Sequence, residues 1–288
     1  MYNSIADLLK LATEHKLALW QIVLENEQRI SDCSAQEVLK KLDDHYNVMC
    51  KAAEQALNKS MSVGGGFIHG LAAQQYTYAK QNTVCGEFIN VLMARALSCS
   101  EVNASMGEIC AAPTAGACGV LPAVLITLGE KYRLSRPQKL QALLTAAGFG
   151  AIIMKNATVS GAKGGCQAEC GSAAAMAAAA AVQIAGGSGE MSVNACSFAL
   201  MNCLGLICDP VAGLVQIPCA QRNASQAINA ILSADLALSG MKSLIPADEV
   251  VDAMYRVGNK MAVEHKETAL GGLAATPTGK AIGNSIFS

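Results

Sequence analysis

Between Ser160 and Gln221 the chain carries Cys166, Cys170, Cys196, Cys203, Cys208 and Cys219. Thiolates are soft donors that select zinc, copper(I) or iron–sulfur clusters, and a dry shell around them tunes the metal. This shell is dry by composition. From Lys163 to Arg222 the intervening charged side chains are Glu169, Glu190 and Asp209, in a run dominated by alanine and glycine. Such a setting suits a buried iron–sulfur site. Any one of these cysteines taken alone reads more simply as a small hydrophobe in a core. The constellation is what points to chemistry.

Other residues could serve such a site. The stretch Ser105–Gly119 is dense in small residues, and its Pro113-Thr114-Ala115-Gly116 turn feeds a helix start. Free main-chain N–H groups and the Thr114 hydroxyl there suit a carboxylate, although an ordinary capped helix start uses the same residue types. The triplet Gly64-Gly65-Gly66 reads as a loop of close approach, and by itself is a weak phosphate cradle. His69 beside it is a candidate base, although a lone histidine is more often an ordinary helix or loop residue. Lys163 and Glu169 flank Cys166 and could orient substrate, or could equally form a buried ion pair. Asp209 before Pro210 reads as a turn residue.

The elements that must position these groups read as helices. Ile5, Leu8, Leu9 and Ala12 share one helical face, and Leu17 to Ile30 continues that period. Ser34-Ala35-Gln36-Glu37 is a capping box before Val38, Leu39 and Leu42. Residues 1–60 therefore form a peripheral helical segment over the core. Helices are expected over Val84–Ala96, Val120–Leu128, from Pro137 to about Met154, Ala224–Leu238 and Ala247–Val263, the last opened by Pro246 with Asp248 and Glu249 at its dipole. Ala173–Ala185 reads as a buried core helix, as does the run around Ala195–Ile207. Thr268–Ser288 reads as an ordered loop or extended tail. No period-2 strand run is found. The expectation is one compact all-α domain over residues 1–288, with Ala/Gly-rich helices buried around the cluster site.

Composition narrows the function classes. The 288 residues carry a formal net charge of -1 with 52% hydrophobic and 15% charged residues. No basic run supports nucleic acid or an anionic membrane as a partner. The alanine-rich runs are too short and too weakly apolar to span a bilayer. Met1–Lys10 lacks the pattern of a signal peptide, so the 12 cysteines are expected reduced, in the cytoplasm. So apolar a chain also suggests an oligomer or a partner subunit.

Three segments taken together carry a resemblance: SMGEICAAPTAGACG at 105–119, SGAKGGCQAECGSA at 160–173 and NCLGLICDPVAGLVQIPCAQRN at 202–223. They resemble the iron–sulfur-dependent L-serine dehydratases, in particular their alpha subunit or domain, over about residues 62–283. The resemblance implies a [4Fe–4S] cluster held by Cys166, Cys208 and Cys219, with its fourth iron left for substrate. It implies that Cys170, Cys196 and Cys203 are packing residues. It also implies a lyase converting L-serine to pyruvate and ammonia. The residues themselves offer Ser105, Thr114 and Gly116 for the substrate side and Lys163 or His69 as candidates for the base. The family's single-chain members add a β domain with a Ser-rich, His-bearing loop, and some end in a cysteine that reaches the cluster. This sequence shows neither, so a separate beta subunit is expected.

Three rivals compete with that reading. An iron–sulfur cysteine desulfidase would expel thiolate instead of hydroxide. A pyridoxal-phosphate lyase would use Gly64–Gly66 and Lys163, and would expect an α/β sheet before the glycine loop. A zinc-stabilised structural subunit would expect paired CxxC ligands, which the sequence lacks.

Overall fold

Caps and apolar spacing decide the first three helices. A computed structural model describes residues 1–287 and contains α1 (Ile5–His15), α2 (Leu19–Ser31) and α3 (Ala35–Gln55). The Ser34 hydroxyl accepts from the Glu37 N–H at 3.3 Å, and the Glu37 carboxylate accepts from the Ser34 N–H at 2.8 Å. Both halves of the capping box are thus made. At the start of α1, the Ile5 and Ala6 N–H groups donate to the two carboxylate oxygens of Asp248.

The chain continues through α4 (Leu71–Tyr78), α5 (Gly86–Ala104), α6 (Val120–Lys131), α7 (Arg136–Asn156), the single turn α8 (Gly161–Gly164), α9 (Ser172–Ile184) and α10 (Gly189–Met201). It ends through α11 (Cys219–Leu238), α12 (Ala247–Lys260) and α13 (Pro277–Phe287). Among the described residues there is no strand, only an isolated bridge between Cys208 and Lys266. The all-α expectation holds, and the sheet needed by a pyridoxal-phosphate lyase is absent from these residues.

At the centre stands α9. Every residue from Ser172 to Val182 is buried, and α6, α7, α10 and α11 pack around it. A helix apolar on all sides can only be a core helix, and alanine lets four neighbours approach it closely. Gln183, the one amide in the run, accepts a hydrogen bond from Thr145 on α7. The other helices build the wall. On α5 the fully buried Glu101 carboxylate accepts from the N–H groups of Gly70 and Ala72 and so caps α4.

Several boundaries differ from the sequence expectation. The tail is not an extended loop. Thr276 accepts from the Gly279 N–H, Pro277 opens α13, and that helix packs on the turn Val211–Gly213. Helix α4 had no signal, because its cap comes from Glu101, some 30 residues downstream. Helix α11 starts at Cys219 rather than Ala224, α12 stops at Lys260, and the run after Met201 leaves the helix before Gly205 turns it with φ 86°.

Candidate functional site

The three family-matched cysteines sit on three different local structures. Cys166 opens a π-helical turn, Gln167–Gly171, between α8 and α9. Cys208 lies in the bridge to Lys266, with its N–H donating to the His265 carbonyl at 2.9 Å and its carbonyl accepting from the Glu267 N–H at 2.8 Å. Cys219 is the first residue of α11. Cys166 and Cys208 are buried and Cys219 is partly so. A π-turn interrupts the regular ladder and is frequent at functional sites.

Buried polar side chains tie these structures to one another. Gln167, fully buried, accepts from the Gly205 N–H and donates to the carbonyls of Gly164 and Met254. Its own N–H donates to Leu206, so the Cys166 turn is fixed to the strand of chain that leads into Cys208. Arg222 reaches back from α11 to the Ile207 carbonyl and the Asp209 carboxylate, both at 2.8 Å, and so grips both neighbours of Cys208. Asn223 accepts from the Gly119 N–H and donates to the carbonyls of Gly116 and Cys219. Asp209 is therefore more than a turn residue. It pairs with Arg222 and accepts from the Leu273 N–H, anchoring the segment 262–273.

Across from the thiols lies the turn at Thr114. The Thr114 hydroxyl donates to Glu169 Oε1 at 2.5 Å. A Cβ on Gly116 would stand 2.6 Å from that same oxygen, so only glycine lets the carboxylate lie against this turn. Gly161 plays the same part on the other side. A Cβ there would meet Cys208 Sγ at 3.0 Å, Glu169 Oε2 at 3.2 Å and Glu267 Oε2 at 3.4 Å. Among the described residues the N–H groups of Ala115 and Gly116 find no protein acceptor. Ser105 caps the end of α5 with its hydroxyl donated to Val102, while the neighbouring Asn103 reaches the Ala115 carbonyl at 3.4 Å.

Other expected site residues are not gathered in. Lys163 is exposed on α8, and the ion pairs of the described residues leave it out, so no Lys163–Glu169 pair forms. His69 is exposed, with Nδ1 2.6 Å from the Met61 carbonyl. Its glycine loop does approach the site, through Gln216 donating to the Gly64 carbonyl at 2.5 Å. Gln167, Arg222, Asn223 and Glu267 carry no local pattern that marks them as site residues. Their amides, guanidinium and carboxylate matter through contacts with residues distant along the chain.

The electrostatics describe a donor set waiting for positive charge. Burial first, then the charges of Cys166 and Glu169, push the Cys219 thiol up to about 12 and Cys208 higher still. Cys166 alone is lowered, chiefly by a hydrogen bond from Cys170, with Arg222 helping. Glu169 is raised by burial and by Glu267, against the donation from Thr114. Cys208 and Cys219, both raised, ionise readily only beside a cationic centre, and with Cys166 they form a donor set that fits a metal cluster. Ligand atoms of Cys166, Glu169 and Cys170 also lie within 4.8 Å of one another. That tight group would suit one ion, whereas a cluster spreads its ligands wider, toward Cys208 and Cys219.

The comparisons with known proteins agree with one another. A family model described as "Serine dehydratase alpha chain" matches residues 14–274. "L-serine dehydratase, alpha chain" of Peptoniphilus asaccharolyticus is 48% identical over 283 residues, covering 98% of this chain and 97% of that relative. "Probable L-serine dehydratase, alpha chain" of Bacillus subtilis is 41% identical over 288 residues, covering 100% of this chain and 96% of the relative. "L-serine dehydratase TdcG" of Escherichia coli is 34% identical over 280 residues, covering 95% of this chain but 61% of that longer relative.

Proposed function

The chain belongs to the serine dehydratase alpha chain family, and from that premise we propose that it converts L-serine to pyruvate and ammonia as the alpha subunit of a cytoplasmic two-subunit lyase. The observation that supports this reading most is the tying of the Cys166, Cys208 and Cys219 segments to one another, and to the Thr114–Gly116 turn, by Gln167, Arg222 and Asn223. In this proposal the three cysteines hold a [4Fe–4S] cluster. When bound, such a cluster with three protein ligands supplies a Lewis-acidic iron with an open position, which helps a poor leaving group such as hydroxide to depart.

The chain's own residues do the rest of the binding. The acceptor-free N–H groups of Ala115 and Gly116 offer donors to the substrate carboxylate. Thr114 holds Glu169 in place, and Ser105 closes α5 beside the turn that Asn103 supports. The Cα proton needs an acceptor, and elimination then leaves aminoacrylate, which tautomerises and hydrolyses. His69 and Lys163 are exposed and stand apart from this turn's hydrogen bonds. In this reading the base comes from the beta subunit, whose docking would also cover exposed apolar side chains such as Met106, Val263 and Leu270.

Anaerobic purification tests this directly. Iron and sulfide in near-equal amounts are expected, with slow serine turnover that rises about a hundredfold or more on adding the beta subunit. Zinc or no metal, with no serine turnover in the assembled enzyme, would overturn it. Turnover of cysteine in preference to serine would transfer the site to a desulfidase.

A further inference from the structure

The segment 262–273 is strapped across the thiol site and carries an exposed carboxylate, Glu267, that no ion pair of the described residues uses. Its main chain is bonded to Cys208 on both sides, at His265 and Glu267, and to the Asp209 carboxylate at Leu273. The strap bends through left-handed backbone at Glu267 (φ 64°) and Ala269 (φ 57°), a conformation unfavourable for side chains other than glycine. Such outliers persist where the surroundings enforce them, and they cluster at ligand sites. The bend at Glu267 brings Oε2 against Gly161, which Cys208 Sγ and Glu169 Oε2 also border.

The charge balance there is uneven. Burial raises Glu169 and the neighbouring Glu267 adds to it, and among the described residues no ion pair includes either carboxylate. Arg222 is bound to Asp209 and to the Ile207 carbonyl. Two carboxylates beside thiolate ligands favour a cation between them. The proposed substrate brings one cation, its α-ammonium, and it must lie within a few bonds of the hydroxyl that leaves.

We propose that Glu267 binds the α-ammonium of L-serine, opposite Glu169, and so selects an amino acid over the corresponding hydroxy acid. This rests on the serine dehydratase reading above. A charge-assisted hydrogen bond of this kind is lost when the carboxylate becomes an amide, while the shape of the strap is kept.

The test uses the cluster-loaded enzyme with its beta subunit, under anaerobic conditions. L-Serine and glycerate, which has a hydroxyl where serine has its ammonium, are titrated against the wild type and Glu267→Gln. Binding is read from the cluster's optical and paramagnetic spectra, and turnover is read separately. Glu267→Gln should weaken serine about ten- to a hundredfold, leave glycerate unchanged or tighter, and retain wild-type iron and melting temperature. Equal weakening of both ligands, or no change in either, would overturn the assignment. So would restoration of serine binding by Glu267→Ala, which removes the carboxylate altogether. A wild-type enzyme lacking iron or serine binding would sink the parent reading, an outcome the control distinguishes from failure of Glu267 alone.

Discussion

Helix α3 and the segment from Cys208 to Asn223 are held by opposite means. Helix α3 is specified by its neighbours in sequence: Ser34 and Glu37 cap each other across three residues, and Val38, Tyr46 and Met49 repeat at helical spacing along the buried face. The Cys208–Asn223 segment depends on partners far along the chain, with Asn223 bonded to residues 104 and 107 positions away and Gln216 to one 152 positions away. The shell uses local rules that any amphipathic helix could use. The site is fixed by polar bonds inside the protein, where an unmet group is expensive. It follows that damage in the shell should be graded and damage in the site abrupt.

The widest separation should come from the cysteines. Replacing Cys166, Cys208 or Cys219 by Ala should abolish iron binding and activity, whereas Cys170→Ala and Cys203→Ala should retain iron. Iron and sulfide analysis of the five variants checks this. Equal iron in all five would place the donors elsewhere, in the tighter Cys166–Glu169–Cys170 group first of all.

Next comes Arg222→Met, which leaves the buried Asp209 carboxylate without its guanidinium. Breaking one side of a buried pair typically costs about 3–5 kcal/mol. Denaturant melts should show that loss, and iron retention should fall with it. A variant as stable as wild type would mean that Asp209 is satisfied by the Leu273 N–H alone.

A smaller effect is expected at Thr114→Val, which keeps the shape of the turn and removes the donor to Glu169. About a tenfold fall in kcat/KM for serine should follow, with iron content unchanged. Unchanged kinetics would remove Thr114 from the binding machinery. Smallest of all is Ser34→Ala in the shell. Loss of this cap should cost about 1 kcal/mol of stability, read by thermal melting, with serine kinetics untouched. A loss of activity there would break the division between shell and site.

The same division explains what was legible in the sequence. The period of α1–α3, the Ser34 capping box and the apolar run of α9 are local patterns, and each became the helix it implied. Cys166, Cys208 and Cys219 stood out through thiol chemistry joined to a family resemblance, since spacing alone does not separate them from Cys170 or Cys203. Glu101 capping α4, Arg222 gripping the neighbours of Cys208 and Glu267 arriving on its strap left no trace. Their meaning lies in which distant main-chain group each one faces. Helix α13 was missed for another reason: its glycines argue against a helix, and its packing on Val211–Gly213 overrides them.

The alanine content of α9 has a consequence for motion. Alanine has no side-chain rotamers, so ordering it costs no side-chain entropy, and once packed it has no rotamers to exchange. From Ala173 to Ala181, Met176 is the single residue with a side chain longer than a methyl group. The inner wall behind the Cys166 turn is thus stiff on the timescale at which other cores shuffle their rotamers. Softer attachments hold the strap 262–273 and the glycine loop 64–70. Each of these is fastened by a handful of hydrogen bonds, against a backing that does not yield.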